Sequence, residues 1–538
     1  MNKNFRLGAM LDCSRCAVPT VEAVKAFALD LKKMGYTTLL LYTEDTYEIP
    51  EEPLWGHFRG RYSKEELKEL DGFCAENGLE LIPCVQTLAH LDQIFTWDKL
   101  YEKYKDAPDV MLVGEEKTYE LIDNIFQTLS QCYSTKTIHI GMDEAVLLGS
   151  GRYYNRHGAR DKCEILLEHL NRVSELAKPY GFTLLIWSDM FFHLLNKGKY
   201  YQSSEIPEEI VRRVPENVRL VYWDYYNEDK ATYDSMIKAH KGFGKEVWFA
   251  GGAVKWFGFH SNNQKTFRAV SPAMRSCSEN GIDDIFITLW GDNGNECPVC
   301  AVLPSLVYAA RCAKGDHSLE NARKTFEDLF GERWDDFMLF DLAMPENLLP
   351  YRECATGAKE MLYGDCFLGK FDSTVSGTGA ENKVFAEYAE KLGEAKARSK
   401  NYGYVFESYE KLCRVLAVKY DLGYRTRTLY QAGDKEGLEK LIDDYAIVIE
   451  RVEEFYVAFK KMWFAFNKPH GFDVHDIRLG GLLQRLRSCK GRLEAYIKGE
   501  TERIEELEEE LVNALACEDA KRIPRYNVYS GLATLNRL

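Results

Sequence analysis

The 538-residue chain has no run of roughly 18 apolar residues, the length a membrane-spanning helix requires. Its first residues, MNKNFRLGAMLDCSRC, hold no apolar core of signal-peptide length before charged residues return. The expectation is a protein of the cytoplasm. Basic charge is also short: 69 Lys and Arg against 84 Asp and Glu leave a formal net charge of −15. Nucleic acid and anionic membrane surfaces both need a basic footprint, so neither is an expected partner. No strand-like segment is followed by GxGxxG or GxxxxGK, and a nucleotide phosphate loop is thereby excluded. His57, His90, His139 and His157 form no HxH or HExxH pattern, so no metal is expected, nor any other cofactor. A second CxxC is lacking too. Cys297 and Cys300 make one CPVC, which without a partner pair or nearby histidine reads as a helix start with Pro298 in the first turn. The 15 cysteines are odd in number and scattered. Cys74, Cys84 and Cys132 sit inside apolar segments, as small core residues do.

What the chain does have is a large apolar content, 46%, with 13% aromatics. Its length exceeds what one core usually organises, so two domains are expected. In the first part strands and helices alternate. FRLGAMLD (5–12) reads as a strand, and the helix after it closes on Gly35, a C-cap glycine. TTLLLYT (37–43) is a continuous apolar strand of the kind buried on both faces. A loop over 51–62 precedes a helix from Ser63 to Asn77, opened by a Ser63/Glu66 capping box. Further strands are read at 79–85, 136–141, 182–187, 218–223, 246–250 and 283–290, with helices at 116–132, 163–180, 263–280 and from Pro298 to about 313. Eight such βα units predict a closed (β/α)8 barrel, α/β in class, rather than an open doubly wound sheet.

From about Gly315 the long β-branched runs stop. Charged helical patterns follow at 318–330, 380–400, 402–422, 435–464, 476–498 and 500–515, interrupted mainly over 467–481. The expected division is a barrel domain, 1–345, and an all-α C-terminal domain, 346–538, which packs against the barrel or pairs two copies into a homodimer.

The polar and aromatic residues cluster just past strand ends. They are Arg15, Glu44 and Asp45, His90, Asp143 and Glu144, Trp187, the run Trp223-Asp224-Tyr225, Trp256, Trp290 and Asp292. In a barrel those ends converge on one face, where a site is built. The centre of the pattern is TIHIGMDEA (137–145), an apolar strand that runs into two adjacent carboxylates. Neighbouring strand residues point to opposite faces, so both acids can serve one site only if the strand gives way to a loop there. A neighbouring anion and partial burial under tryptophans would raise the proton affinity of Glu144, as a general acid requires.

HIGMDEA resembles the H-x-G-x-D-E motif of glycoside hydrolase family 20, the β-N-acetylhexosaminidases. LDCSRC resembles that family's first-strand Asp-x-x-Arg segment, with Arg15 as the arginine that holds hydroxyls of the terminal sugar. IPCVQTLAH is similar to its third-strand segment ending in a histidine, here His90, and Trp187, Trp223 and Trp290 resemble its strand-end tryptophans. The likeness spans roughly 1–313, and the chain looks like a bacterial subgroup with a helical C-terminal domain. The resemblance implies an exo-acting enzyme that removes terminal β-linked N-acetylhexosamine from oligosaccharides or glycoconjugates by a retaining, substrate-assisted mechanism. In it Asp143 holds the 2-acetamido group while that group's oxygen attacks C1, and Glu144 gives and then takes a proton. Some positions depart from the family pattern. Met142 stands where a small residue is commoner. Glu44 or Asp45 takes the part of the acid bracing His90, Tyr225 that of the tyrosine on the acetamido oxygen, and Asp292 that of the usual glutamate for outer hydroxyls. The competing expectations are a two-carboxylate β-glycosidase without acetamido assistance and an inactive sugar-binding barrel.

Overall fold

The structure is a computed structural model that describes residues 5–203, 205–348, 356–511, 528–534 and 536. Eight parallel strands close on themselves in sequence order. They are β1 (Arg6–Asp12), β2 (Thr38–Glu44), β3 (Glu80–Val85), β4 (Thr137–His139), β5 (Thr183–Trp187), β6 (Val218–Trp223), β7 (Val247–Gly252) and β8 (Asp284–Leu289). β1 pairs with both β2 and β8, which seals the barrel. Every residue of β2 is buried, as a strand with side chains inside the barrel and beneath the helices demands. The expected barrel is therefore present, and its strands begin and end within a residue or two of the apolar runs, β4 excepted.

Local signals set the helix ends. The Thr20 hydroxyl accepts from Ala23 N at 3.1 Å to open Val21–Met34, and Gly35 closes that helix at φ 91°. Ser63 and Glu66 form the expected reciprocal capping box at the head of Lys64–Glu76.

The chain divides into two compact units. The first comprises 1–253, 264–290 and 305–322; the second comprises 254–263, 291–304 and 323–538. The second unit is helical. Its longest helix, Lys435–Phe464, buries Leu438, Leu441, Tyr445, Val448, Val452, Phe455 and Phe459, a 3–4 spacing that gives one continuous apolar stripe. Two expectations there are corrected. The helix read at 476–498 starts earlier, at Phe472, because Gly471 supplies the left-handed φ of 88° that ends the break. The helix read at 500–515 is a single turn, Glu505–Glu508, in its described part, and its last residues, from 512, lie outside the described residues. Glu505, Glu506, Glu508, Glu509 and Glu510 would repel one another at helical spacing. Among the described residues no helix is long and apolar enough to cross a membrane.

A buried charge cluster lies within the second unit. Lys359 Nζ and Arg478 Nη1 each donate to Glu296 at 2.9 Å, on opposite oxygens, and both also donate to the Asn293 carbonyl at 2.9 Å. Lys359 and Glu296 side chains are fully buried. Removing Glu296 leaves two cations facing each other in low dielectric with no anion between them. Glu296→Gln is expected to destabilise the protein by about 3–5 kcal/mol, read as an earlier thermal transition; an unchanged transition would show the cluster to be dispensable.

Candidate active site

The acids lie where the backbone of β4 breaks. The sequence pattern extends this strand to Gly141, but the ladder stops at His139. Gly141, Met142 and Glu144 then take φ of 73°, 74° and 50°. Left-handed backbone at two non-glycine residues in so short a stretch is costly and needs support from its surroundings. Gln86 supplies it from one side. Its amide oxygen accepts from Met142 N at 3.1 Å, and its amide nitrogen donates to Asp143 Oδ1 at 2.7 Å. A Cβ on Gly141 would stand 2.0 Å from Gln86 Oε1, so only glycine fits. Asp189, the first residue of the helix after β5, supports the other side by accepting from Glu144 N at 2.9 Å. The twisted turn lets neighbouring side chains face the same space, and His90 Nε2 stands 3.3 Å from Asp143 Oδ2 and 3.7 Å from Glu144 Oε2.

The two acids have unlike surroundings. The Asp143 side chain is 12% exposed and that of Glu144 57%. Burial pushes Asp143 up, but the charge on His90 and hydrogen bonds from His90 and Gln86 outweigh it, and the carboxyl is held below its ordinary range. Burial pulls His90 down, and Asp143 overcomes this to lift the imidazole to about 9. The two form a buried ion pair at neutral pH. Glu144 is more open than a position under tryptophans implies.

A polar chain runs from this pair across the strand ends. Gln86 Nε2 also donates to the Tyr42 hydroxyl at 3.0 Å, Tyr42 donates to Glu44 Oε1 at 3.0 Å, and Arg15 Nη2 stands 3.3 Å from the same oxygen. Glu44 therefore goes to Tyr42 and Arg15, and Asp45 goes to Arg59 at 2.5 Å. Asp143 stands against His90 Nε2, and the charge of Glu44, one of the two acids expected to brace the imidazole, adds to Asp143 in raising it. Glu44 and Asp45 part company where the register of β2 against β3 shifts between Tyr42 and Glu44, with Glu44 at φ 44°.

Aromatic rings line the apolar side. Trp290 meets Tyr42 edge-on at 4.7 Å and Trp187 at 6.1 Å between centroids. Tyr225 stacks on Trp223 at 5.2 Å, and its buried phenol, pushed well above its ordinary range, faces Trp290 and Thr288. Asp224 has a different task. Both its oxygens are engaged, by Tyr222 OH at 2.8 Å, by the backbone N–H groups of Tyr226 and Asn227 at 3.1 Å, and by the Asn227 amide at 2.6 Å, which fixes the turn after β6. Trp256 and Asp292 fall in the second unit, where Trp256 is buried. His139 is fully buried and neutral, held near 3 by desolvation, and its Nδ1 accepts from Gly141 N at 3.1 Å.

Tyr42, Gln86 and Asp189 belong to this constellation and are missing from the sequence-derived set. Gln86 immediately follows β3 and Asp189 stands two residues past Trp187, so the strand-end rule that selected His90 and Trp187 reaches them too. Asp189 is fully buried; burial first, and then the neighbouring Asp143 charge, push its carboxyl up to about 8. A raised carboxyl favours folding only while the unfolded chain would also be protonated. Its contribution is full below about pH 4, is lost as pH rises, and is gone once pH passes about 8. Asp189→Asn keeps an acceptor for Glu144 N without the ionisation, so the melting-temperature difference, variant minus parent, is expected to grow in the variant's favour from pH 4 to 8 and level off above. A difference that does not change with pH would show that Asp189 is ionised throughout.

Comparison with known proteins places this geometry in a family. The model of the glycosyl hydrolase family 20 catalytic domain matches residues 26–243, and that of the glycoside hydrolase 20C C-terminal domain matches 335–524. Hexosaminidase D of Bos taurus is 27% identical over 209 residues, 36% of this chain and 56% of that protein. The Homo sapiens hexosaminidase D is 25% identical over 221 residues, 39% of this chain and 43% of that protein. The chain thus spans about half the length of the curated relatives it matches. Among solved structures, the Flavobacterium johnsoniae chitobiase is similar at 13% identity and a TM-score of 0.47, over 85% of this chain and 78% of that one. With the catalytic-domain match and the C-terminal-domain match lying in that order along one sequence, the chain belongs to glycoside hydrolase family 20.

Proposed function

We propose that the protein is an exo-acting β-N-acetylhexosaminidase that removes terminal β-linked N-acetylglucosamine or N-acetylgalactosamine with retention, using the sugar's own acetamido group as nucleophile. The observation that carries this reading is the unlike pair on one turn: a buried, ionised Asp143 beside an open Glu144. A carboxylate has about four lone-pair sites. Asp143 gives one to Gln86, one to His90 and one to its own backbone N–H, which leaves one for the acetamido N–H. Its fixed negative charge would stabilise the positive charge that develops as the acetamido oxygen closes on C1. Trp187, Trp290 and Tyr225 supply an apolar wall suited to the acetyl methyl. Glu144, at the open side, would protonate the departing glycosidic oxygen and later take a proton from water. Arg15, ordered by Asp12 and Glu44, is suited to the hydroxyls of the terminal ring.

The proposal extends to a cytoplasmic enzyme. Cys74, Cys84 and Cys132 are buried free thiols, in keeping with a reducing compartment.

Glu144→Gln is expected to lower kcat on nitrophenyl N-acetyl-β-glucosaminide by about 10²- to 10⁴-fold, with the circular-dichroism spectrum preserved. Asp143→Asn should cut kcat by about 10²- to 10³-fold while KM moves little. Near-parental turnover in the Glu144 variant would sink the assignment of the acid. Equal hydrolysis of aryl β-glucosides and their N-acetyl analogues would replace acetamido assistance with a two-carboxylate route.

A further inference from the structure

Two halves of the site stand on different strands. Arg15, just past β1, lies 3.8 Å from Asp12 and 3.3 Å from Glu44, and is the group suited to ring hydroxyls. Asp143, with His90 and Gln86 beside it, is the group suited to the acetamido side. Tyr42 hydrogen-bonds to both halves, through Glu44 on one side and Gln86 on the other. It lies on β2, opposite Asp12 of β1 and Cys84 of β3, and is fully buried. Trp290 meets its ring edge-on at 4.7 Å, and the Arg15 guanidinium carbon stands 6.0 Å from the ring centre. Burial first, and then the charge of Glu44, push the phenol well above its ordinary range, so it keeps its proton.

The direction of each bond in this bridge is fixed. The Gln86 carbonyl oxygen is taken by Met142 N, so the amide cannot be turned over, and its two N–H groups go to Asp143 Oδ1 and to the Tyr42 oxygen. The Tyr42 oxygen accepts there, and its one proton goes to Glu44 Oε1. Burial pushes the Glu44 carboxyl up, and the charge of Arg15 is the first to oppose it. The bridge thus delivers a donor to a carboxylate at each end, and turning either side chain over would leave one of them without it. There is also no slack. Gln86 is fully buried, and a Cβ on Gly141 would stand 2.0 Å from its amide oxygen. A displacement at Glu44 is therefore handed on to Tyr42 and Gln86 and reaches Asp143.

We infer that Tyr42 is a positioning residue for the reaction: its hydroxyl holds Gln86, and through it Asp143, in register with the Arg15–Glu44 pair. This rests on the glycosidase reading above. Capture of the ring hydroxyls by Arg15 and support of the acetamido group by Asp143 then belong to one hydrogen-bonded unit. A sugar seated at one end finds the other end already placed, and the acetamido oxygen is kept in line with C1, where small misplacements are costly. Without the hydroxyl, one Gln86 N–H faces a buried space with no acceptor, and the two ends of the site are set independently.

The test is a set of rate comparisons on nitrophenyl N-acetyl-β-glucosaminide. Tyr42→Phe keeps the ring against Trp290 and removes only the hydroxyl. It is expected to lower kcat about five- to thirtyfold, with KM within about threefold of the parent. Arg15→Lys and Asp143→Asn, made singly and together, measure the coupling of the two ends. In the parent the double variant is expected to lose at least about fivefold less in kcat/KM than the product of the single losses. In the Tyr42→Phe background the same losses should multiply to within about twofold, which a packing role for the hydroxyl would not bring about. Gln86→Met breaks the bridge at its other bond, and the losses should multiply there as well, so the cycle is readable even where Tyr42→Phe does not fold. Losses that already multiply in the parent, coupling that survives both broken bridges, or a Tyr42→Phe kcat within about twofold of the parent overturns the inference. A parent enzyme that does not cleave the glycoside, or an Asp143→Asn variant with undiminished kcat, overturns the reading of the site itself and this inference with it.

Discussion

A β-strand turns successive side chains to opposite faces, so no regular strand can deliver two consecutive residues to one place. This chain escapes the constraint between Gly141 and Glu144, and much of the surrounding architecture exists to hold that escape. Gln86 grips Met142 and Asp143 from β3, and Asp189 grips Glu144 from beyond β5. Their two strands are the ones that flank β4 in the barrel. The shortness of β4 is thus a requirement of the site, since each further ladder residue would rotate one acid away.

The electrostatics follow from the same turn. Two acids side by side would repel, and burying one would normally neutralise it. The imidazolium of His90 prevents that by standing between them, and Asp143 remains an anion inside a largely apolar mouth. Like charge is then relieved at the third acid instead, with Asp189 protonated at neutral pH. His90 as the cation, Asp143 as the anion and Asp189 as the neutral acid share a volume where two free carboxylates and a free imidazole would be unstable. A buried anion at a strand end and an exposed acid beside it is the division of labour on which the proposed function rests.

The barrel was legible because buried parallel strands announce themselves as apolar runs such as TLLLY, and because helix ends carry local chemistry such as the Ser63/Glu66 box. Asp143, Glu144, Arg15 and His90 were legible from their position just past strand ends. The left-handed run at 141–144 was not, because Met142 and Glu144 are residues that avoid that conformation on their own, and only Gln86 and Asp189 make it tolerable. The partners of Glu44 and Asp45 depend on a register shift that no residue pattern records. Asp224 looked like a site acid from its neighbours Trp223 and Tyr225; whether an acid faces a ligand or its own turn is decided by the backbone after β6. In the second unit the run of glutamates near 505–510 had helical apolar spacing, yet only Glu505–Glu508 forms a turn, with its acids paired to Arg485, Arg492 and Arg503.

The cluster of Glu296, Lys359 and Arg478 also sets an order of events during synthesis. Glu296 leaves the ribosome 182 residues ahead of Arg478, an interval of roughly 10–40 s at ordinary elongation rates. Through that interval Glu296 lacks Arg478, and until Lys359 emerges it lacks both cations of the finished cluster. A carboxylate in that condition stays hydrated, so the stretch around it remains open while the barrel strands before it are already complete. The cluster is complete only once a side chain from the Phe472–Ile497 helix arrives, and a nascent chain stopped short of it leaves Glu296 without that partner.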